Sequence, residues 1–137
     1  MQGLARLGAV AWTLASLVFL WMPPPETPRW DYPWIDEATH AGLFAVACAL
    51  WSFAAIDRRL LAVAAVALAA ISELGQGLLP WPRYPDVSDF LFDVLGAALG
   101  MLAASAALRL RARDGASGND QRRAQQQGRN GRDSNPR

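Results

Sequence analysis

His40 is the single histidine of a 137-residue chain, and it stands inside an apolar run. Glu73, Asp89 and Asp93 are placed in the same way, each within or at the edge of an apolar segment. Imidazole and carboxylates together can trade protons or hold a divalent cation, and carboxylates in unequal surroundings can divide into acid and base. Other polar groups flank them: Asp36 ahead of His40, Gln76 after Glu73, and Arg83 and Asp86 ahead of Asp89. Arg83 could neutralise a carboxylate or hold a phosphate. No Gly-x-Ser-x-Gly occurs, and Cys48 lies deep in an apolar block, so no nucleophile suggests itself. One cysteine also excludes an internal disulfide and a cysteine-based zinc finger.

The segments that must position these groups have membrane length. Hydrophobic residues make up 53% of the chain against 18% charged, which already disfavours a soluble domain. A hydrocarbon core of roughly 30 Å takes about 20 apolar residues in a helix. Four stretches meet that length, at about 4–22, 38–56, 60–79 and 88–108. Arg6 lies near enough to the end of the first to snorkel. Soluble helices carry a polar face, and Leu60 to Ser72 has none. The first stretch has the arginine-then-apolar look of a signal peptide, but Phe19-Leu20-Trp21-Met22 runs into three prolines without a small-residue cleavage pattern. An uncleaved helix is expected there. The fold class predicted is all-α: a four-transmembrane-helix bundle over 1–108 with a disordered basic C-terminal tail.

Charge placement orients the bundle. All 13 basic residues are arginines; 1–108 holds five against nine acids, and 109–137 holds eight against three. Arg6, Arg58, Arg59, Arg109, Arg111 and Arg113 fall on one side, which the positive-inside rule makes cytoplasmic together with both termini. Arg29 and Arg83 fall on the other, in proline-rich loops. Trp21, Trp30, Trp34 and Trp81 gather at that outer interface. The tail, from about residue 114, is rich in Gly, Asn, Gln, Arg and Asp without apolar period, and it is expected to be disordered. Its arginines suit anionic headgroups, and no nucleic-acid partner is expected.

With this topology every ionisable group of the second to fourth spans lies near the outer leaflet. A carboxylate at mid-membrane costs about 2.5–3.5 kcal/mol on insertion scales, so several at one level point to a shared site or an internal network. Asp86, Asp89, Asp93, Gly96 and Gly100 fall within about 80° of helix surface at 100° per residue. Gly96 and Gly100 therefore form a packing seam below the acids, allowing close helix approach. Duller roles exist for some: Asp36 or Thr39 could cap the second span, and Asp86 or Ser88 the fourth. Glu73 has no such role to fill.

The spacings resemble the VanZ-like family of small bacterial membrane proteins. Asp36, His40 and Phe44 match its Asp-x-x-x-His pair followed by a Phe; Glu73 and Gln76 match its Glu-x-x-Gln. Arg83, Asp86, Asp89, Asp93, Gly96 and Gly100 match its third block, with Asp93 where the family usually has Asn. The resemblance covers roughly residues 30–106. It implies a multi-pass protein of the bacterial inner membrane with a cell-envelope role, possible protection from glycopeptides such as teicoplanin, and no agreed chemistry.

Three readings follow. In the first, Asp36, His40, Glu73, Gln76, Arg83, Asp86, Asp89 and Asp93 form an outer-leaflet pocket that binds a lipid headgroup, a lipid-linked cell-wall intermediate or a glycopeptide. In the second, His40, Glu73 and Asp89 are an acid–base or metal-assisted centre acting on such an intermediate. In the third they are a buried network that only fixes the bundle. A divalent metal is compatible with this donor set but not demanded by it. Polarity at one end of four spans leaves no through-path for a transporter unless the chain oligomerises.

Overall fold

The computed structural model describes residues 2–23, 34–80 and 85–133, and among them every regular element is a helix. In chain order these are α1 (Gln2–Trp21), α2 (Trp34–Phe53), α3 (Arg58–Gln76) and α4 (Val87–Asp133). The chain divides into two units, Met1–Ala104 and Ser105–Arg137.

The first unit is a bundle in which polarity is inverted. Large apolar side chains face outward: Leu4, Leu7 and Val18 on α1, Leu60, Val63 and Leu74 on α3, Leu91, Leu95 and Leu102 on α4. The interior is built of small residues, Ala9, Ala47, Ala65, Ala69, Ala97 and Ala104, around Leu20 and Phe44. Ser16, His40, Ser72, Glu73, Gln76, Asp89 and Asp93 are buried among them. A water-soluble protein would bury the leucines and expose the acids. Helices solvated by lipid gain nothing by hiding leucine, and they associate through small residues and internal polar contacts instead.

α1, α3 and the Val87–Asn119 stretch of α4 are long and apolar enough to cross a membrane. The expectation of four such helices is met by three among the described residues. α2 has the length, but its first turn carries Asp36 and Glu37 and its second carries His40. It also starts earlier than the apolar stretch beginning at Ala38, because acids suit a helix N-terminus, where the dipole is positive.

Neighbouring elements alternate in direction. α2 ends at a Schellman-type turn, with Ile56 N–H donating to Trp51 O at 3.4 Å and Ala55 at φ 60°. Asp57 then caps α3, its Oδ1 accepting from the N–H groups of Arg59 (3.0 Å) and Leu60 (3.1 Å). Tryptophans tie α1 to its neighbours: Trp12 donates to Leu43 O at 3.0 Å, and Trp51 donates to the Thr13 hydroxyl at 3.1 Å. The Trp21 ring lies over Gly75, where a Cβ would meet Cζ2 at 2.8 Å, and its N–H donates to Ser72 O at 3.3 Å. The C-terminal ends of α1 and α3 and the N-terminal ends of α2 and α4 thus share one end of the bundle.

Instead of disorder from about residue 114, α4 runs on to Asp133. Its side chains from Leu108 to Asn119 are exposed. An absent apolar face removes the reason to pack, not the ability to be helical. The nucleation cost is already met within the apolar part of α4, and the Arg, Ala and Gln residues of 121–127 are good helix formers that propagate it, against the four glycines of 115–131.

Candidate functional site

The site begins with a backbone approach. A Cβ at Gly96 would collide with the carbonyl oxygen of Ala41, and one at Gly100 with that of Ala45. α2 and α4 therefore run parallel in near contact, a separation that only glycine allows there. One to two turns above Gly96 on the same face stand Asp93 and Asp89. One residue before Ala41 stands His40. The seam sets the imidazole against the carboxylates.

His40 is 1% exposed and Asp93 is fully buried. Their contact is direct, His40 Nδ1 to Asp93 Oδ1 at 3.0 Å. Glu73 arrives from α3 on the same side of the ring, with Oε1 4.0 Å from Nδ1. Asp89 faces the opposite nitrogen, with Oδ2 3.7 Å from Nε2. One imidazole is thus flanked by three carboxylates contributed by two other helices. Glu73 is fixed at its second oxygen, which accepts the Asp86 N–H at 2.9 Å.

Several buried atoms of this centre have no hydrogen-bond partner: Glu73 Oε1, Asp93 Oδ2, Gln76 Nε2 and, on the same turns of α3, Ser72 Oγ. Leaving such a group dry costs about 1–3 kcal/mol, more where it is charged. A network serving only as scaffold would be expected to close these bonds. Ionised together, the three carboxylates and an imidazolium would still carry a net charge of about −2 in a low-dielectric interior, which calls for a further cation or for protons.

The remaining candidates are placed differently. Asp36 is in the first turn of α2 but exposed. Asp86 is exposed and caps α4: its Oδ1 accepts from the Ser88 N–H at 2.7 Å and the Ser88 hydroxyl at 2.8 Å. Those two bonds hold the Asp86 carboxyl below the ordinary carboxylate range. Thr39 does not cap; its hydroxyl donates back to Ile35 O at 2.7 Å. Arg83 lies outside the described residues, as do Trp30 and Trp81. Cys48 packs in the apolar core beside Phe44 and Leu61. A shallow apolar cleft beside Leu20, Phe44 and Leu68 includes none of the candidate residues.

No protein-family model, curated protein or solved structure matches this chain.

Two contributors were missed in the sequence. Ser72 is fully buried beside Glu73, and its signal was available: it is the one hydroxyl of α3, at the end of the apolar run from Leu60. The Asp86 N–H that clamps Glu73 had no signal, since a backbone donor carries no residue type.

Proposed function

We propose that the chain is a VanZ-like protein of the bacterial inner membrane, with both termini cytoplasmic and α2 as a fourth span. Its polar centre, at the outer-leaflet end, binds a polar group of the cell envelope. The ligand class is a lipid headgroup, a lipid-linked cell-wall intermediate, or a glycopeptide such as teicoplanin, with a role in resistance or envelope maintenance. The observation that carries the reading is the set of buried, unpartnered atoms on Glu73, Gln76 and Asp93 around His40. Arg58 and Arg59 stand at the opposite end of α3 from Glu73, which agrees with an outward-facing centre under the positive-inside rule. In this reading α2 supplies the imidazole and is shielded from lipid along that face by α1, α3 and α4, so its polar start is tolerated.

The test uses proteoliposomes containing a labelled lipid-linked cell-wall precursor. Wild-type protein should retain it, Glu73→Gln should retain at least tenfold less, and Asp57→Ala, at the other end, should match wild type. Retention by Glu73→Gln equal to wild type would overturn the reading. Topology is checked on a Cys48→Ala background, where Pro80→Cys should react with an impermeant thiol reagent from outside and Ala116→Cys should not.

A second reading is favoured by the carboxylates at both ring nitrogens of His40. It is a membrane enzyme using His40, Glu73 and Asp89 in acid–base or metal-assisted chemistry on the same class of intermediate. Conversion of the labelled precursor to a new species, lost in His40→Ala, distinguishes it from binding alone.

A further inference from the structure

We propose that His40 Nδ1, Glu73 and Asp93 form a site for one divalent first-row transition ion, zinc being the best chemical match, with Asp89 orienting the imidazole through Nε2. The inference rests on reading these residues as a binding centre, and it names what occupies that centre first.

Three observations carry it. The first is donor spacing. One ligand atom from each of His40, Glu73 and Asp93 lies within 4.8 Å of the others. Ligands about 2.0–2.2 Å from a tetrahedral ion stand about 3.4 Å apart. The distances from His40 Nδ1, 3.0 Å to Asp93 and 4.0 Å to Glu73, bracket that separation. Sub-ångström side-chain shifts therefore suffice to seat an ion.

The second is the state of the oxygens. Glu73 Oε1 lies 4.0 Å from the imidazole on a residue that is 5% exposed, and Asp93 Oδ2 belongs to a residue with no exposure at all; neither accepts a hydrogen bond. Two buried carboxylates facing one ring nitrogen are a poor hydrogen-bond network, because Nδ1 offers at most one proton to both. They are a good ligand set, because a divalent ion with two carboxylates and a neutral imidazole sums to zero charge.

The third is the far side of the ring. When Nδ1 coordinates, Nε2 must carry the proton, and Asp89 Oδ2 waits 3.7 Å away. A carboxylate behind a ligating histidine fixes its tautomer and orientation. The nitrogen donor argues against magnesium and calcium, and the absence of a thiolate argues against copper(I), leaving zinc foremost. Three protein ligands leave a fourth position open, as in catalytic rather than structural zinc sites.

The experiment uses the full chain in nanodiscs, stripped with chelator and titrated with cobalt(II), whose visible bands report coordination, then with competing zinc. Wild type should bind one ion per chain, and His40→Ala and Asp93→Asn should each weaken binding at least 100-fold. Asp89→Asn should keep the stoichiometry and lose about 10–100-fold in affinity. Asp93→Asn nearly preserves shape, so its fold can be verified by helical content. Zinc should raise the Tm of wild type but not of this variant. Wild type binding no more cobalt than a folded Asp93→Asn would overturn the proposal, as would undiminished binding by His40→Ala. If wild type binds no cobalt while precursor retention is still lost in Glu73→Gln, the metal falls and the headgroup reading stands.

Discussion

At one end of the bundle the Asp57 carboxylate faces solvent and accepts two backbone N–H groups of α3. At the other end Asp93 is wholly buried, touches His40 with one oxygen and leaves the other without a partner. The chemical group is the same. At the Asp57 end it completes a helix terminus and its role is finished within three residues. At the His40 end it comes from a different helix than the imidazole it meets, and it is joined there by Glu73 from a third. Local structure explains the first carboxylate entirely and leaves the second unexplained. That difference is what motivates the proposed ligand: at the His40 end a polar group's position is costly and no local demand requires it.

The largest expected effect comes from breaking the approach that assembles the polar end. Gly100→Leu drives a side chain into the Ala45 carbonyl, and backbone cannot yield as a rotamer can. Overpacking of ordinary side chains costs about 1–3 kcal/mol, and this should exceed that range. Loss of the monodisperse peak in detergent size-exclusion chromatography is expected. A folded variant would show that the seam does not hold α4 to α2.

Next in size is a matched pair of deletions. His40→Ala leaves buried carboxylates without their imidazole and should cost about 3–5 kcal/mol. Asp57→Ala removes one exposed cap and should cost about 1 kcal/mol. Thermal unfolding of both, in the same detergent, measures the asymmetry between the ends. Equal losses would mean that burial adds nothing.

Much of the polar centre was legible in the sequence. The level of His40, Glu73, Asp89 and Asp93 was visible because insertion cost makes charges in apolar runs conspicuous. The Gly96–Gly100 stripe was visible for a similar reason, since small residues on one face of a long apolar helix have few other uses. What could not be read is which carboxylate meets which ring nitrogen. That depends on helix rotation, which is fixed by Ala41 and Ala45 meeting glycine, and alanine carries no pattern. Burial was hidden as well: Asp36 and Asp89 look alike in sequence, yet Asp36 is exposed and Asp89 is not. The helical continuation past residue 114 escaped because composition reports the lack of a core, while an existing helix needs none to propagate.

The smallest effect sharpens the comparison at the Asp57 end. Ala55 holds φ 60°, a conformation costing a non-glycine residue about 1–2 kcal/mol. Ala55→Gly should recover up to about 1 kcal/mol, the gain reduced by the extra freedom glycine brings to the unfolded chain. A rise in Tm checks it.

The central claim is that Glu73, within the buried centre, serves a ligand and not the scaffold. Glu73→Gln tests it most directly, because the amide keeps the shape and can still accept the Asp86 N–H while the charge is gone. Tm and precursor retention should be measured on the same preparation. The account predicts a Tm unchanged or higher, since the apolar surroundings no longer oppose a carboxylate, together with retention reduced at least tenfold. A Tm that falls by the equivalent of about 3–5 kcal/mol would mark Glu73 as a structural ion-pair partner. That fall, or full retention by a well-folded variant, would contradict the account.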